Sequence, residues 1–163
     1  MSTSPTSTPS TREFSITRII DAPRELVWRA WTDEAELAQW LHPFGVSTDR
    51  VAFDVRVGGR YRYPMTNDET REEYPTGGQY LDVEPYDRLV FTWGHPDAPV
   101  ASAPVISLSF LPRGERTELV LHLRGYDGRP GDGFVHDGWA EAVTNLERHL
   151  GAPQQRLVGR DQQ

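Results

Sequence analysis

The chain has 163 residues, enough for one domain with its own buried core, and its 37% hydrophobic and 25% charged residues are ordinary for a globular protein. Its 24 acidic against 17 basic residues give a formal charge of −7, which argues against a general nucleic-acid or anionic-membrane binder. There is no cysteine and every basic residue is arginine, which excludes disulfides, thiolate nucleophiles, Schiff-base lysines and a Walker-type phosphate lysine.

Met1 to Thr11 holds only Ser, Thr and Pro after the initiator Met, so it reads as a disordered tail. Phe14 to Ile20 is rich in β-branched residues and reads as a strand. Asp21-Ala22-Pro23 starts a helix with Pro23 at its first position, and Val27, Trp28 and Trp31 give it one apolar face. Asp33 with Glu36 caps a second short helix, whose apolar face is Leu37, Trp40 and Leu41. The pattern then changes to period two.

Arg50 to Val55 reads as a strand, Gly58-Gly59 as a turn, and Arg60 to Met65 as the returning strand of a hairpin. Asn67 to Glu73 is a polar tip. Gly78 to Glu84 is a strand closed by the turn Pro85 to Arg88, and Leu89 to Trp93 follows as another. His95 to Pro104 carries three prolines and reads as a loop. Val105 to Leu111 and Thr117 to Leu123 form strands around a turn at Pro112-Arg113-Gly114, with Leu119, Leu121 and Leu123 on one face.

A glycine-rich stretch, Gly125 to Gly133, reads as a flexible lead into a long helix from about Gly131 to Leu150. It is not a phosphate loop, because it lacks GxGxxG spacing and the neighbouring strands are antiparallel. Trp139, Val143, Leu146 and Leu150 form the buried stripe of that helix, and Gly151 with Pro153 beyond it marks the stop. Residues 153–163 read as a frayed polar tail, leaving a folded domain over 12–152. The expected fold is α+β: a curved antiparallel sheet of six to seven strands wrapped on a long C-terminal helix, with two short helices after the first strand. No apolar run of membrane-spanning length and no secretory signal are present, so a cytoplasmic location is expected.

Several separated motifs carry a family resemblance. They are IDAPRELVWRAWT from Ile20 to Thr32, then Trp40, FDVRVGGRY from Phe53 to Tyr61, and GQY at Gly78 to Tyr80. EPYDRLVFTW from Glu84 to Trp93 follows, and Gly138-Trp139 lies in the last helix. Together, over about residues 14 to 150, they resemble the START/Bet v-like (SRPBCC) superfamily. Within it, they are similar to the family named for the C-terminal domain of the activator of heat-shock-protein-ninety ATPase. The resemblance implies the helix-grip fold, with a cavity between sheet and helix, and links the family name to the stress response. The eukaryotic co-chaperone of that family carries a larger N-terminal domain as well. Here a short tail stands before the domain, so a chaperone partner is not expected.

In such a fold Trp40, Phe44, Tyr61, Tyr63, Tyr80, Trp93 and Trp139 surround the cavity. Val143 on the helix, Arg60 beside the Gly58-Gly59 turn and His136 near the mouth complete the set of ligand-binding candidates. Tyr and Trp combine apolar area with a polar tip, which suits a small apolar or aromatic ligand. The competing reading of each ring is plain core, and a sheet–helix space filled by side chains would count against the cavity. Arg56 and Arg60 flank the Gly58-Gly59 turn, and an ion pair with Asp54 that holds the hairpin is favoured over a ligand contact. His122 and His149 read as structural.

His95, His136 and Tyr61 are the candidates for proton transfer in the rival reading, an enzyme of the same fold such as a cyclase, dehydratase or hydrolase. No two of the five histidines sit at a recognised metal spacing, so no metal and no cofactor are expected. The reading this supports is a binder of a small hydrophobic molecule acting in transport, sensing or sequestration. A co-chaperone-like ATPase activator is a third reading, and a homodimer is compatible with all three.

Overall fold

In the computed structural model, residues 12–48, 50–133 and 135–162 are described, with side chains described up to Gly151. The expected tail over 1–11 lies outside them. The elements are strand β1 (Glu13–Ile20), helices α1 (Arg24–Thr32) and α2 (Glu34–Trp40), then β2 (Val46–Ser47), β3 (Ala52–Phe53), β4 (Arg60–Arg62), β5 (Met65–Asn67) and β6 (Glu73–Tyr74). The long strands β7 (Gly77–Glu84), β8 (Arg88–Thr92), β9 (Val105–Arg113) and β10 (Arg116–Arg124) follow, and helix α3 (Val135–Gln162) ends the chain. Seven strands form one antiparallel sheet in the order β1-β10-β9-β8-β7-β4-β3, and β2-β5-β6 form a second, small sheet. Two short helices after β1 and one long C-terminal helix complete the expected helix-grip α+β architecture.

The alternation in β9 and β10 carries the core. Ile106, Leu108 and Phe110 on β9 and Leu119, Leu121 and Leu123 on β10 are fully buried, with α1 residues Val27 and Ala30 and α3 residues Val143 and Leu146 against them. Arg18 of β1 ties the sheet to α3, its Nη1 donating to Thr144 Oγ1 at 3.1 Å and to Glu147 Oε1 at 2.9 Å. Asp33 caps α2 as expected, its side chain accepting from the Ala35 amide at 2.9 Å.

Four boundaries differ from expectation. The strand expected over Arg60 to Met65 breaks at Tyr63-Pro64, because Pro64 has no N–H to give to a ladder, and Met65 joins the small sheet instead. The strand expected over Arg50 to Val55 shrinks to Ala52–Phe53, since the backbone then turns tightly, with Arg56 N bonded to Asp54 O. Helix α3 starts at Val135 rather than Gly131, because Gly131 and Gly133 hold φ of +86° and +63°, outside the right-handed helical region. At its far end the helix continues through Gly151 and Pro153 to Gln162, past the stop expected there. Among the described residues no helix is long and apolar enough to cross a membrane.

Candidate ligand-binding cleft

The space between the sheet and α3 is filled by rings. Phe53, Tyr61 and Tyr63 stack with centroids 5.3 to 6.0 Å apart, and Tyr80 and Phe91 close on Tyr61 at 5.5 and 5.6 Å. These side chains, with Trp31, Leu37, Leu41, Leu89 and Trp139, leave a void of only about 10 Å³. The expectation of a central cavity is therefore corrected: Tyr and Phe on β3, β4, β7 and β8 are large enough to fill it themselves.

Open space remains at the mouth. A cleft of about 160 Å³ lies between the end of α2, the β4–β5 break, β8 and the start of α3. Its walls are almost wholly carbon, from Leu41, His42, Pro43, Tyr63, Met65, Trp93, Val135, Gly138, Trp139 and Ala142. Gly138 and Ala142 are one helical turn apart on α3, so beside Val135 and Trp139 the helix presents only a hydrogen and a methyl group to the space. A Cβ on Gly138 would stand 3.9 Å from Pro43 Cβ, an ordinary contact that narrows the cleft. Glycine in a helix interior costs about 1 kcal/mol against alanine, so the sequence gives up helix stability at the cleft wall.

The start of α3, one wall of the cleft, is held by carboxylates. Asp132 accepts from the amides of His136 and Asp137 at 3.2 Å each. Asp137 accepts from Gly131 N at 2.9 Å and Gly133 N at 2.7 Å. Those two bonds, Gly133's foremost, hold the Asp137 carboxyl below its ordinary range. The glycine-loop amides thus already bind an anion belonging to the chain.

Rings run from the core to the cleft. Trp40 meets Trp31 edge-on at 4.6 Å, Trp31 stacks on Trp139 at 6.4 Å, and Trp139 meets Trp93 at 5.7 Å. Trp93 Nε1 donates to Tyr63 Oη at 3.0 Å, and Trp40 Nε1 donates to the Ala30 carbonyl at 3.0 Å. The indole N–H groups of Trp31 and Trp139 are buried and have no partner among the described residues. Burial pushes the hydroxyl pKa of Tyr61, Tyr63 and Tyr80 upward, so all three stay protonated at neutral pH.

Of the residues singled out from sequence, Tyr63, Trp93 and Trp139 line the cleft. Tyr61 and Tyr80 belong to the ring cluster behind it, with Tyr61 Oη donating to the Thr92 carbonyl at 2.6 Å. Trp40 and Val143 are core. Phe44 is exposed, with Arg148 over its ring at 5.3 Å. Arg60 lies on the outward face of β4 and donates to the Pro96 carbonyl at 2.9 Å.

His95 is exposed, its Nδ1 accepting from the Asp97 amide at 3.1 Å. His136 packs on Phe14 of β1, ring centroids 5.1 Å apart, not on the cleft, because it stands off the helix face that carries Trp139 and Ala142. Arg56 pairs with Asp54 through Nε at 2.9 and 3.0 Å, the hairpin clamp the sequence favoured. His122 bonds Glu13 and His149 bonds Glu36, both structural.

The reading from sequence missed Leu41, His42, Pro43, Met65, Val135, Gly138 and Ala142. Gly138 and Ala142 carried a signal, two small residues at i and i+4 beside a tryptophan; the others sit at element ends where periodicity fails. His42 is the sole imidazole on the cleft wall among the described residues, with Nδ1 2.9 Å from the Pro43 carbonyl. No group of three or more His, Asp or Glu among the described residues is placed to hold a metal ion.

The architecture recurs in solved structures. A protein from Nitrosomonas europaea superimposes with a TM-score of 0.74 at 24% identity, covering 90% of this chain and 98% of that one. One from Chromobacterium violaceum gives a TM-score of 0.74 at 26% identity, covering 83% and 94%. An AHSA1-like protein from Aeromonas hydrophila gives 0.72 at 22% identity, covering 87% and 94%. No curated protein shows significant similarity to the chain. The sequence profile of the activator of Hsp90 ATPase homolog 1-like proteins matches residues 21–151, and by that match the chain belongs to this family.

Proposed function

We propose that the protein binds one small, uncharged apolar or aromatic molecule in the cleft between α2, β8 and α3, and acts in its transport, sensing or sequestration in the cytoplasm. The observation that carries this is the carbon-walled space of about 160 Å³, kept open where α3 has glycine instead of a better helix former. An apolar cavity near 150 Å³ elsewhere stays dry and accepts a benzene-sized molecule, so the space suits a single ring or a short branched chain. Tyr63, Trp93 and Trp139 supply the aromatic wall, and Leu41, Met65 and Val135 the aliphatic one. The absence of any arginine or carboxylate from the lining argues against an anionic or cationic ligand.

The catalytic reading has less support. His95 and His136 stand away from the cleft, and Tyr61 is held protonated and bonded to Thr92. Native and denaturing mass spectra of freshly purified protein, followed by thermal denaturation with benzene, toluene and indole, test the proposal. A ligand present at 100 times its Kd raises stability by about 2.7 kcal/mol, a readable upward shift of the melting temperature. No retained molecule and no shift with any of the three compounds would overturn it.

A further inference from the structure

We propose, on the basis of that cleft reading, that the ligand carries one hydrogen-bond acceptor, a ketone or ether oxygen, which the indole N–H of Trp139 takes. The cleft walls hold few polar groups. Tyr63 Oη has a partner, accepting from Trp93 Nε1 and keeping its own O–H as a second donor, and His42 Nδ1 lies 2.9 Å from the Pro43 carbonyl. Trp139 is different: its ring lines the cleft, it is 5% exposed, and its Nε1 has no partner among the described residues.

Buried donors in folded proteins are nearly always paired, and leaving one unpaired costs more than a single hydrogen bond contributes. Trp31 Nε1 is orphaned too, and its ring stacks on Trp139 with a 20° tilt. Both rings border the inner void, and Leu41, Tyr63 and Trp139 wall both that void and the cleft. A small displacement of one of those three side chains joins the two spaces and brings a ligand oxygen to the indole N–H. The preferred ligand is therefore a neutral, single-ring or branched compound with a carbonyl or ether, which binds more tightly than a hydrocarbon of the same shape. A resident water is the rival occupant, since the void of about 10 Å³ stands at the lower edge of what one water needs.

Acetophenone and α-methylstyrene separate these cases, because they share a shape and differ by a carbonyl oxygen against a methylene. Their affinities for the wild-type protein are measured by calorimetry. The indole N–H resonance of Trp139, assigned with Trp139→Phe, is followed at saturation with each. Acetophenone is expected to bind about tenfold more tightly, the gain of one satisfied buried donor. The Trp139 resonance should move downfield with acetophenone alone, and Trp139→Phe should abolish the preference.

Equal affinities with no downfield movement overturn the inference and leave the cleft reading standing; a resident water that holds the N–H gives that result. Binding of neither compound overturns the cleft reading and the inference with it. Should Trp139→Phe fail to fold, the wild-type affinity ratio and the number of indole resonances that move still decide, since a preference with no moving indole resonance also contradicts the assignment.

Discussion

The two sides of this molecule are built on different rules. The β1-β10-β9 side uses strands of eight and nine residues, with alternating burial along β10 and most of β9, mainly aliphatic side chains and paired polar groups. Even its buried Thr117 donates through Oγ1 to the Ala22 carbonyl at 2.7 Å. The β3-β4 side uses strands of two and three residues, a ring cluster in place of leucines, and a glycine in the helix that faces it. Its two neighbouring indoles leave their N–H groups unpaired. The first side has little left to gain from any further contact, while the second has unused donors and open space. On the proposed reading, the first side supplies most of the stability and the second takes the ligand.

The largest effect should come from the aliphatic side. Leu121→Ala and Phe110→Ala each remove a fully buried side chain and should cost about 2–5 kcal/mol in urea-unfolding free energy. A loss under about 1 kcal/mol from either would mean that this side is not the main source of stability.

The ring cluster sharpens the contrast through pH. Burial raises the folded-state pKa of Tyr61, Tyr63 and Tyr80 above the ordinary 10.0, while the unfolded chain titrates near that value. The folded state therefore binds more protons above pH 10. The contribution to stability is complete below pH 10 and falls as pH rises through it. Urea midpoints at about pH 9 and about pH 11 should differ in that direction, with tyrosinate absorbance of these residues appearing only on unfolding. An unchanged midpoint would show that the rings are more hydrated than their packing implies.

At the cleft, binding and stability should separate. Gly138→Leu should weaken ligand binding by at least about tenfold by filling the space. Gly138→Ala should raise stability by up to about 1 kcal/mol, because its Cβ meets only Pro43 at van der Waals distance. A Gly138→Leu protein that binds as well as wild type would place the ligand elsewhere. Smaller still, Tyr61→Phe removes the bond to Thr92 and should cost about 1 kcal/mol by chemical denaturation. Arg56→Ala, which breaks an exposed pair, should leave the melting temperature unchanged.

The same contrast explains what could be read from the sequence. Leu119, Leu121 and Leu123 announce a strand face because one residue type recurs with period two. The Trp139, Val143, Leu146 and Leu150 stripe announces a helix in the same way. Tyr61, Tyr63 and Tyr80 announced aromatic chemistry, but ring type alone does not tell whether rings surround a space or fill it. Pro64 divided an apparently continuous strand, and this sent Met65 to the cleft wall. Gly138 and Ala142 define the cleft by what they lack, and two small residues at i and i+4 are a far weaker signal than a stripe of leucines. His136 drew attention by its chemistry, yet its neighbour Phe14 stands more than a hundred residues away, a contact local reading has no means to find.

The most direct test follows the indole N–H resonances of the five tryptophans in wild type and Gly138→Leu during titration with toluene. The account predicts saturable shifts at Trp93 and Trp139 in wild type, none at Trp28 on the far side of α1, and loss of all shifts in Gly138→Leu. No saturable shift in the wild-type protein, or the same shifts in Gly138→Leu, would contradict it.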